Sequence, residues 1–307
     1  MKLQQLQYFA AVYEQGSFSA AANKANATQS GLSMHVSQIE KRYNVILFER
    51  SSSGVTPTEA GRSFYKEAVK VLAATRNAEE RLRSLSKAVV GHVHVGLMPT
   101  FTRAVLTAAL MRFAKEFPEV RLSISESYSG TLLEEVKEGR LDFGVVPAFV
   151  DLDEVLVSKR MGMDRECLVC RSDQKLTRTK NGVMLDQISP LRLVLPGAGN
   201  ARRRRIENYL TANQINVSDL MELDTMHGTL DLVANSEWVT ILPGIMCLPD
   251  LETGPRQVAP LANPPLMVDY MRIETRKRPL HPAAQAFADV LQEELNSALE
   301  IDPFSQH

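Results

Sequence analysis

Cysteine is scarce in this chain: Cys167, Cys170 and Cys247 are the only three in 307 residues. Three thiols cannot build a disulfide framework, and they fit a reducing compartment. No run of about 18 apolar residues occurs, so no helix is expected to span a membrane. Residues 1–7 have no unbroken apolar core, which argues against a secretory signal and for a cytoplasmic protein. Low-complexity tracts are missing, and 44% hydrophobic with 23% charged residues excludes disordered and fibrous classes. Neither sign of charge is in excess, since 35 Lys+Arg meet 36 Asp+Glu and the net charge of −1 names no partner.

Catalytic apparatus is missing too. No serine sits in Gly-x-Ser-x-Gly, and residues 197–201 (Gly-Ala-Gly-Asn-Ala) complete neither a dinucleotide fingerprint nor a P-loop. Cys167 and Cys170 have redox-motif spacing but fall in an expected strand, where residues three apart face opposite ways, so core packing is the better reading. His92 and His94 would share a strand face, yet no third ligand is evident. No enzyme activity, no cofactor and no metal are therefore expected.

What the chain does have is a charge gradient. Residues 1–90 carry 12 Lys+Arg against 7 Asp+Glu, whereas the remainder carries 23 against 29. A basic head on an acidic body suits a DNA-binding module joined to a larger one, and the length suits about two domains.

Leu3, Leu6, Phe9, Ala10 and Tyr13 recur at helical spacing, and Gly16 closes that helix. Ser17 can cap a second helix over 18–25, and Thr28 a third. In the third, Leu32, Val36, Ile39 and Tyr43 make one apolar stripe. Its other face carries Gln29, Ser30, Ser33, Met34, Ser37 and Gln38. A solvent face is normally rich in Lys and Glu. Short hydroxyls and amides instead permit close approach to phosphates and base edges, and Gln can both donate to and accept from adenine. A polar face with no partner is the alternative; the three-helix context favours DNA. Leu47-Phe48-Glu49-Arg50, the turn-forming 51–54 and Val55-Thr56 read as a small hairpin, with Arg50 placed for phosphate or the minor groove.

From Thr58 a long helix is expected to about residue 87, roughly 45 Å. Phe64, Ala68, Val71, Thr75, Ala78, Leu82 and Leu85 step by four and three along it, a heptad seam. Packing on its own domain and pairing with a second copy both fit such a seam. Its narrowness and its small Ala68 and Ala78 favour the pair.

Beyond residue 91 the pattern turns to β/α alternation. Strands are expected at 92–97, 121–126, 143–146, 166–171, 192–195, 238–242 and 266–274, with helices at 102–116, 129–138, 201–213, 229–234 and 282–299. This implies α/β layers with a mainly parallel sheet, which binds small ligands at its carboxyl edge. The strand ends supply Thr100, Phe101, Thr102, Ser127, Ser129, Pro147, Asn200 and His227 as effector candidates. The segment 197–201 opens a helix whose free N–H groups suit an anion, and Arg202 can turn toward it. A solvated basic face is the other reading of Arg202 to Arg205. Hydroxyls and N–H groups together suit a small organic acid.

The blocks Phe9-Ala10-Ala11-Val12, Gly16-Ser17-Phe18-Ser19-Ala20-Ala21-Ala22, Thr28-Gln29-Ser30-Gly31-Leu32-Ser33, Gln38-Ile39-Glu40, Leu47-Phe48-Glu49-Arg50 and Pro57-Thr58-Glu59-Ala60-Gly61 occur in order. With Phe117-Pro118-Glu119-Val120, Gly139-Arg140-Leu141-Asp142 and Leu242-Pro243 downstream, the chain resembles the LysR-type transcriptional regulators over nearly its full length. The resemblance implies a winged helix-turn-helix over 1–58, touching promoter DNA through the third-helix face, Ser17, Thr28, Arg50 and Ser53. It implies a dimerising linker helix over 59–90 and an effector-binding domain over 91–307. That domain would comprise two Rossmann-like lobes resembling periplasmic binding proteins, lobe I at about 91–162 plus 268–307 and lobe II at about 163–267. It also implies a homotetramer, a dimer of dimers. Two residues depart from the family pattern. Gly31 stands where Ala is frequent, and Ser53 where a second basic wing residue is frequent. A solute-binding protein shares the two lobes but not residues 1–90, and an α/β enzyme would need a constellation that is not found.

Overall fold

The computed structural model describes residues 1–307 except 52–53, 84–88, 149–151, 181, 199, 252–253, 263 and 302–307, and leaves out the side chains of 51, 77, 80, 81, 83 and 178. The expectations placed on Ser53, Leu85 and Gly199 lie outside the described residues. The chain divides into two compact units, residues 1–87 with 138–140, and residues 88–137 with 141–307.

The first unit begins with three helices, α1 (Leu3–Gln15), α2 (Phe18–Lys24) and α3 (Gln29–Tyr43). Their ends follow from the residues named above. Gly16 closes α1 in the left-handed conformation at φ +59°, which only glycine adopts without cost. The Ser17 hydroxyl accepts from Ala20 N–H and the Thr28 hydroxyl from Gly31 N–H, each cap contributing about 1 kcal/mol. Leu32, Val36 and Ile39 are buried on one stripe of α3, while Tyr43 at its end is 51% exposed rather than part of the stripe.

The hairpin follows as β1 (Phe48–Ser51) and β2 (Gly54–Pro57), antiparallel, with Arg50 opposite Val55. Glu40 of α3 anchors it, one carboxylate oxygen accepting from Leu47 and Phe48 N–H at 2.9 and 3.4 Å. Thr58 Oγ1 then donates to Ile46 O at 2.7 Å and accepts from Gly61 N–H at 3.0 Å, starting α4 (Glu59–Arg83). A Cβ on Gly61 would lie 2.1 Å from the Leu47 carbonyl, so this helix can pass the hairpin only with glycine there.

Two residues of the expected dimer seam are used inside the unit instead. Phe64 lies 4.7 Å from the Phe9 ring, and Ala68 is 1% exposed within the helical core. The helix turns these toward its own domain because Phe9, Phe48 and Tyr13 already form an aromatic cluster there.

The second unit comprises β3 (Gly91–Leu97), α5 (Pro99–Phe101), a π-helical segment Thr102–Leu106, α6 (Thr107–Glu116), β4 (Val120–Glu126), α7 (Ser129–Lys137), β5 (Phe143–Pro147) and β6 (Leu156–Arg171). Then come the short β7 (Arg178–Thr179) and β8 (Gly182–Val183), β9 (Leu191–Leu195), α8 (Ala201–Ala212), β10 (Val217–Glu222), α9 (Met226–Ala234), β11 (Thr240–Pro243), β12 (Arg256–Pro260), β13 (Met267–Thr275) and α10 (Pro282–Glu300). Seven strands form one sheet of order β11-β6-β13-β5-β3-β4, with β12 also on β6.

That sheet is mixed rather than mainly parallel, and β9 and β10 form a separate two-stranded sheet. β3 runs parallel to β4 and β5, and β9 parallel to β10, but β13 is antiparallel to β5 and β6, and β11 and β12 are antiparallel to β6. The reason is the length of β6. Its first ten residues pair with β13 and the rest with β11 and β12, so one strand crosses between two α/β lobes and its partners must run back along it. One core gathers around Phe101, Phe113, Phe143, Tyr270 and Phe287. Two others cover opposite faces of the β6, β9 and β11 strands, with Leu168 and Cys170 on one side and Cys167 and Val169 on the other.

Candidate nucleic-acid interface and ligand cavity

In the first unit, the side of α3 away from Leu32, Val36 and Ile39 presents Gln29, Ser30, Met34 and Gln38 as exposed and Ser33 and Ser37 as half-buried residues. Met34, 53% exposed, is the one large apolar group on it. Gln38 accepts from Gln5 Nε2 at 3.1 Å, which holds its amide in place. Arg50 reaches this helix from the hairpin: its Nη1 donates to Ser33 Oγ at 3.1 Å and its guanidinium lies 4.6 Å over the Phe18 ring. Helix face and hairpin arginine thus form one polar surface. Ser17 and Thr28 spend their hydroxyls on helix caps, Ser17 also meeting Ser19 Oγ at 2.9 Å and Thr28 accepting from Ser30 Oγ at 3.3 Å. On α4, Thr75 is half-buried, Ala78 is exposed, and Val71 and Leu82 are 48% and 70% exposed.

In the second unit, the parallel strands β3, β4 and β5 deliver their carboxyl ends to one edge, and β9 with β10 do the same opposite. Between these edges lies a cavity, which Thr100, Ser129, Pro147, Asn200 and Arg202 all line. Its other walls include Val194, Leu195, Leu223, Met226, Ile241 and Leu242. It adjoins an open cleft, where Thr102, Ser127 and His227 stand with Glu126, Tyr128 and Asp224. Sequence reasoning therefore divides over two adjoining spaces, and one candidate leaves altogether. Phe101 is fully buried in the lobe core, edge-on to Tyr270 at 5.8 Å, because the helix turn that sends Thr100 to the cavity sends Phe101 inward.

Thr100 is 4% exposed, and its hydroxyl has no hydrogen-bond partner among the described residues. Buried hydroxyls are normally satisfied, and one open to a cavity wall can be met by water or by a bound group. The N-terminus of α8 opens at the same cavity, where the Asn200 side chain accepts from Arg202 N–H at 2.9 Å. Arg202 itself is not a free cation. Its Nε and Nη2 donate to the two Glu166 oxygens at 3.1 and 2.7 Å, and Nη2 also donates to Ile241 O at 3.0 Å. Burial lowers the Arg202 pKa, but Glu166 outweighs it and the net shift is upward. The remaining cluster is used at the surface: Arg203 pairs with Glu207 at 2.7 Å, and Arg205 donates to Met267 O at 3.0 Å.

Sequence reasoning missed Glu166, because nothing in the spacing links positions 36 apart. It missed Glu126, Arg103 and Asp224 as well. Thr102 Oγ1 donates to Glu126, Arg103 Nη2 meets Asp250 at 2.9 Å, and Asp224 Oδ1 accepts from Gly197 N–H at 2.8 Å. The three cysteines are buried, and burial pushes the Cys167 and Cys247 thiols well above their ordinary range, which leaves them unreactive. Among the described residues no group of three or more His, Cys, Asp or Glu is placed to hold a metal, and no helix is long and apolar enough to cross a membrane.

A helix-turn-helix with a hairpin wing, followed by two α/β lobes around a cavity, defines a DNA-binding regulator with a ligand-binding domain. Two family models match the chain: "Bacterial regulatory helix-turn-helix protein, lysR family" over residues 3–62 and "LysR substrate binding domain" over residues 86–296. The chain belongs to the LysR family of transcription regulators. It is 25% identical over 296 residues to the nitrogen assimilation regulatory protein nac of Klebsiella aerogenes, covering 95% of this chain and 94% of that one. Its fold matches a full-length OxyR variant from Pseudomonas aeruginosa at TM-score 0.75 and 20% identity, over 100% and 98% of the two chains. It also matches full-length CbnR complexed with its target DNA at TM-score 0.70 and 19% identity, over 96% and 100%.

Proposed function

We propose that this regulator is a cytoplasmic homotetramer that responds to a small organic acid bound between the two lobes. The observation that carries the ligand reading is the Thr100 hydroxyl, buried and unpartnered in the cavity wall. Beside it opens α8, whose first-turn N–H groups, apart from that of Arg202 capped by Asn200, favour an anion. A carboxylate satisfies hydroxyl and N–H groups together. Closure of the lobes on it would bias one arrangement of the oligomer, the usual route from ligand to DNA affinity. Thermal-shift titration with small organic acids tests this on the wild type and on Thr100→Val. Stabilisation lost in the variant supports the reading, and equal stabilisation of both moves the site elsewhere.

On the head, Gln29, Ser30, Ser33, Met34, Ser37 and Gln38 face bases in the major groove, and Arg50 meets phosphate, with Ser17 and Thr28 at the rim; Ser53 keeps its sequence-based assignment to DNA. The CbnR–DNA complex, a neighbour in fold, supports this docking. Residues 1–58 form the reading head, 59–90 the linker, and 91–307 the effector-binding domain. The exposed Val71, Ala78 and Leu82 pair two linkers, because apolar groups so bare on a long helix lower their free energy by packing on a second copy.

A further inference from the structure

We infer that the effector carries a protonated amine as well as a carboxylate, so that an amino acid with an apolar side chain fills the cavity; the inference rests on the cavity's being the effector site. Charge accounting carries it. Two arginines reach the cavity and its cleft, and each is matched by a buried carboxylate, Arg202 by Glu166 at 2.7 Å and Arg103 by Asp250 at 2.9 Å. Two carboxylates at the mouth, Glu126 and Asp224, have no ion-pair partner among the described residues. Each spends one oxygen on a neutral donor, Glu126 on Thr102 Oγ1 and Asp224 on Gly197 N–H, and keeps acceptor sites for another group. Their field reaches Tyr128 between them: burial first, then Asp224 and Glu126, raise its phenol pKa.

A dianion entering this mouth meets two like charges, whereas an ammonium meets two acceptors of opposite sign. Deeper in, the unpartnered Thr100 hydroxyl and the α8 N-terminus take the carboxylate. Val194, Leu195, Leu223, Met226, Ile241 and Leu242 then surround the body of the ligand, which calls for an apolar side chain. Thr102 ties the two ends together, standing two residues after Thr100 and bonded to Glu126. The short separation of ammonium and carboxylate in an α-amino acid suits that adjacency.

Calorimetric titration of the full-length protein at neutral pH tests this with matched probes. L-leucine is compared with 4-methylpentanoate and 3-methylbutylamine, and L-phenylalanine with 3-phenylpropanoate and 2-phenylethylamine. At least one amino acid should bind about tenfold or more tightly than its deaminated acid, the value of one charge-assisted contact. In the Glu126→Gln, Asp224→Asn double variant that advantage should vanish, with affinity for the acid held or raised because two like charges are gone. Acids that bind as tightly as the amino acids, or an advantage that survives the double variant, would overturn the inference yet leave the cavity as the effector site. Acid binding that is unchanged in Thr100→Val strikes at the cavity reading itself. No heat with any of the six probes overturns the inference.

Discussion

Neutralising Glu166 offers a direct measure of how the cavity wall is held. Arg202 and Glu166 are joined by two parallel N–H···O bonds, with side-chain exposures of 7% and 1%. At 2.7 Å and an effective dielectric near 20 their attraction is about 6 kcal/mol, most of it offset by the desolvation of both ions. Removing one partner is costly because the other stays buried and charged. Glu166→Gln should therefore lower the stability of the second unit by about 3–5 kcal/mol. A charge-free pair, Arg202→Met with Glu166→Leu, should recover most of that loss, which makes the coupling measurable as a double-mutant cycle.

The single tryptophan makes the assay local. Trp238 lies in the second unit, with the Arg192 guanidinium 4.8 Å over its ring, so its fluorescence follows this unit alone. With a urea slope of about 2–3 kcal/mol/M for a domain of this size, the midpoint should fall by roughly 1–2 M. The opposite single change has a different signature. Arg202→Met leaves a carboxylate, which escapes by taking a proton, so its penalty should shrink as pH is lowered toward 5. A guanidinium has no such escape, and the Glu166→Gln penalty should hold steady. A Glu166→Gln midpoint within about 0.3 M of wild type, or penalties of the two variants that follow pH alike, would refute the reasoning.

Gln29→Ala should relax base preference and cost roughly 1–3 kcal/mol of operator binding, while Arg50→Ala should weaken all sequences alike and lower the salt slope by about one; unchanged gel-shift affinities would remove both assignments. Asp placed at both Val71 and Leu82 should separate linker pairs, at a cost of several kcal/mol for like charges in the seam; light scattering that finds undiminished mass would move the dimer contact elsewhere. Burial raises the Asp164 carboxyl to about 6, despite bonds from Ile245 N–H, Arg165 N–H and Tyr270 Oη. Its folded pKa thus exceeds its unfolded one, so its contribution is intact below about pH 4 and lost as pH rises through about 6, by up to about 3 kcal/mol. Asp164→Asn should flatten the urea midpoint over that window, and an unaltered pH slope would refute the assignment.

Local chemistry explains which elements the sequence made legible. Gly16, Ser17 and Thr28 mark helix ends by themselves, since a left-handed cap and two hydroxyl caps need no tertiary information. β5 is readable because it is buried on both faces and is continuously apolar, and β3 and β9 because Val93, Val95 and Leu97, and Leu191, Leu193 and Leu195, recur at every second position. The first half of β6 is not, because Ser158, Lys159, Arg160 and Asp164 interrupt any run and only the pairing with β13 makes it a strand. β10 escapes for the same reason: mostly exposed, it pairs only with β9. The turning back of β13 along β6, which makes the sheet mixed, is likewise fixed by contacts between residues about a hundred positions apart.

The position of the cavity was legible, and its electrostatics were not. Strand ends could be found from strand positions, and parallel strands carry them to one edge whatever their side chains; hence Thr100, Ser129, Pro147, Asn200 and Arg202 meet at one cavity. Charge is different, because a side chain's net effect depends on partners that sequence spacing does not reveal. Four successive arginines after a glycine segment look like an anion receptor, but Glu166 cancels the one that reaches the cavity. Glu126 and Asp224 look like ordinary surface acids, yet they line the open cleft with no ion pair among the described residues. A ligand guessed from residue types alone would be a plain acid. Pairing the charges first removes the arginine, leaves two carboxylates, and adds an amine to the molecule that would fit.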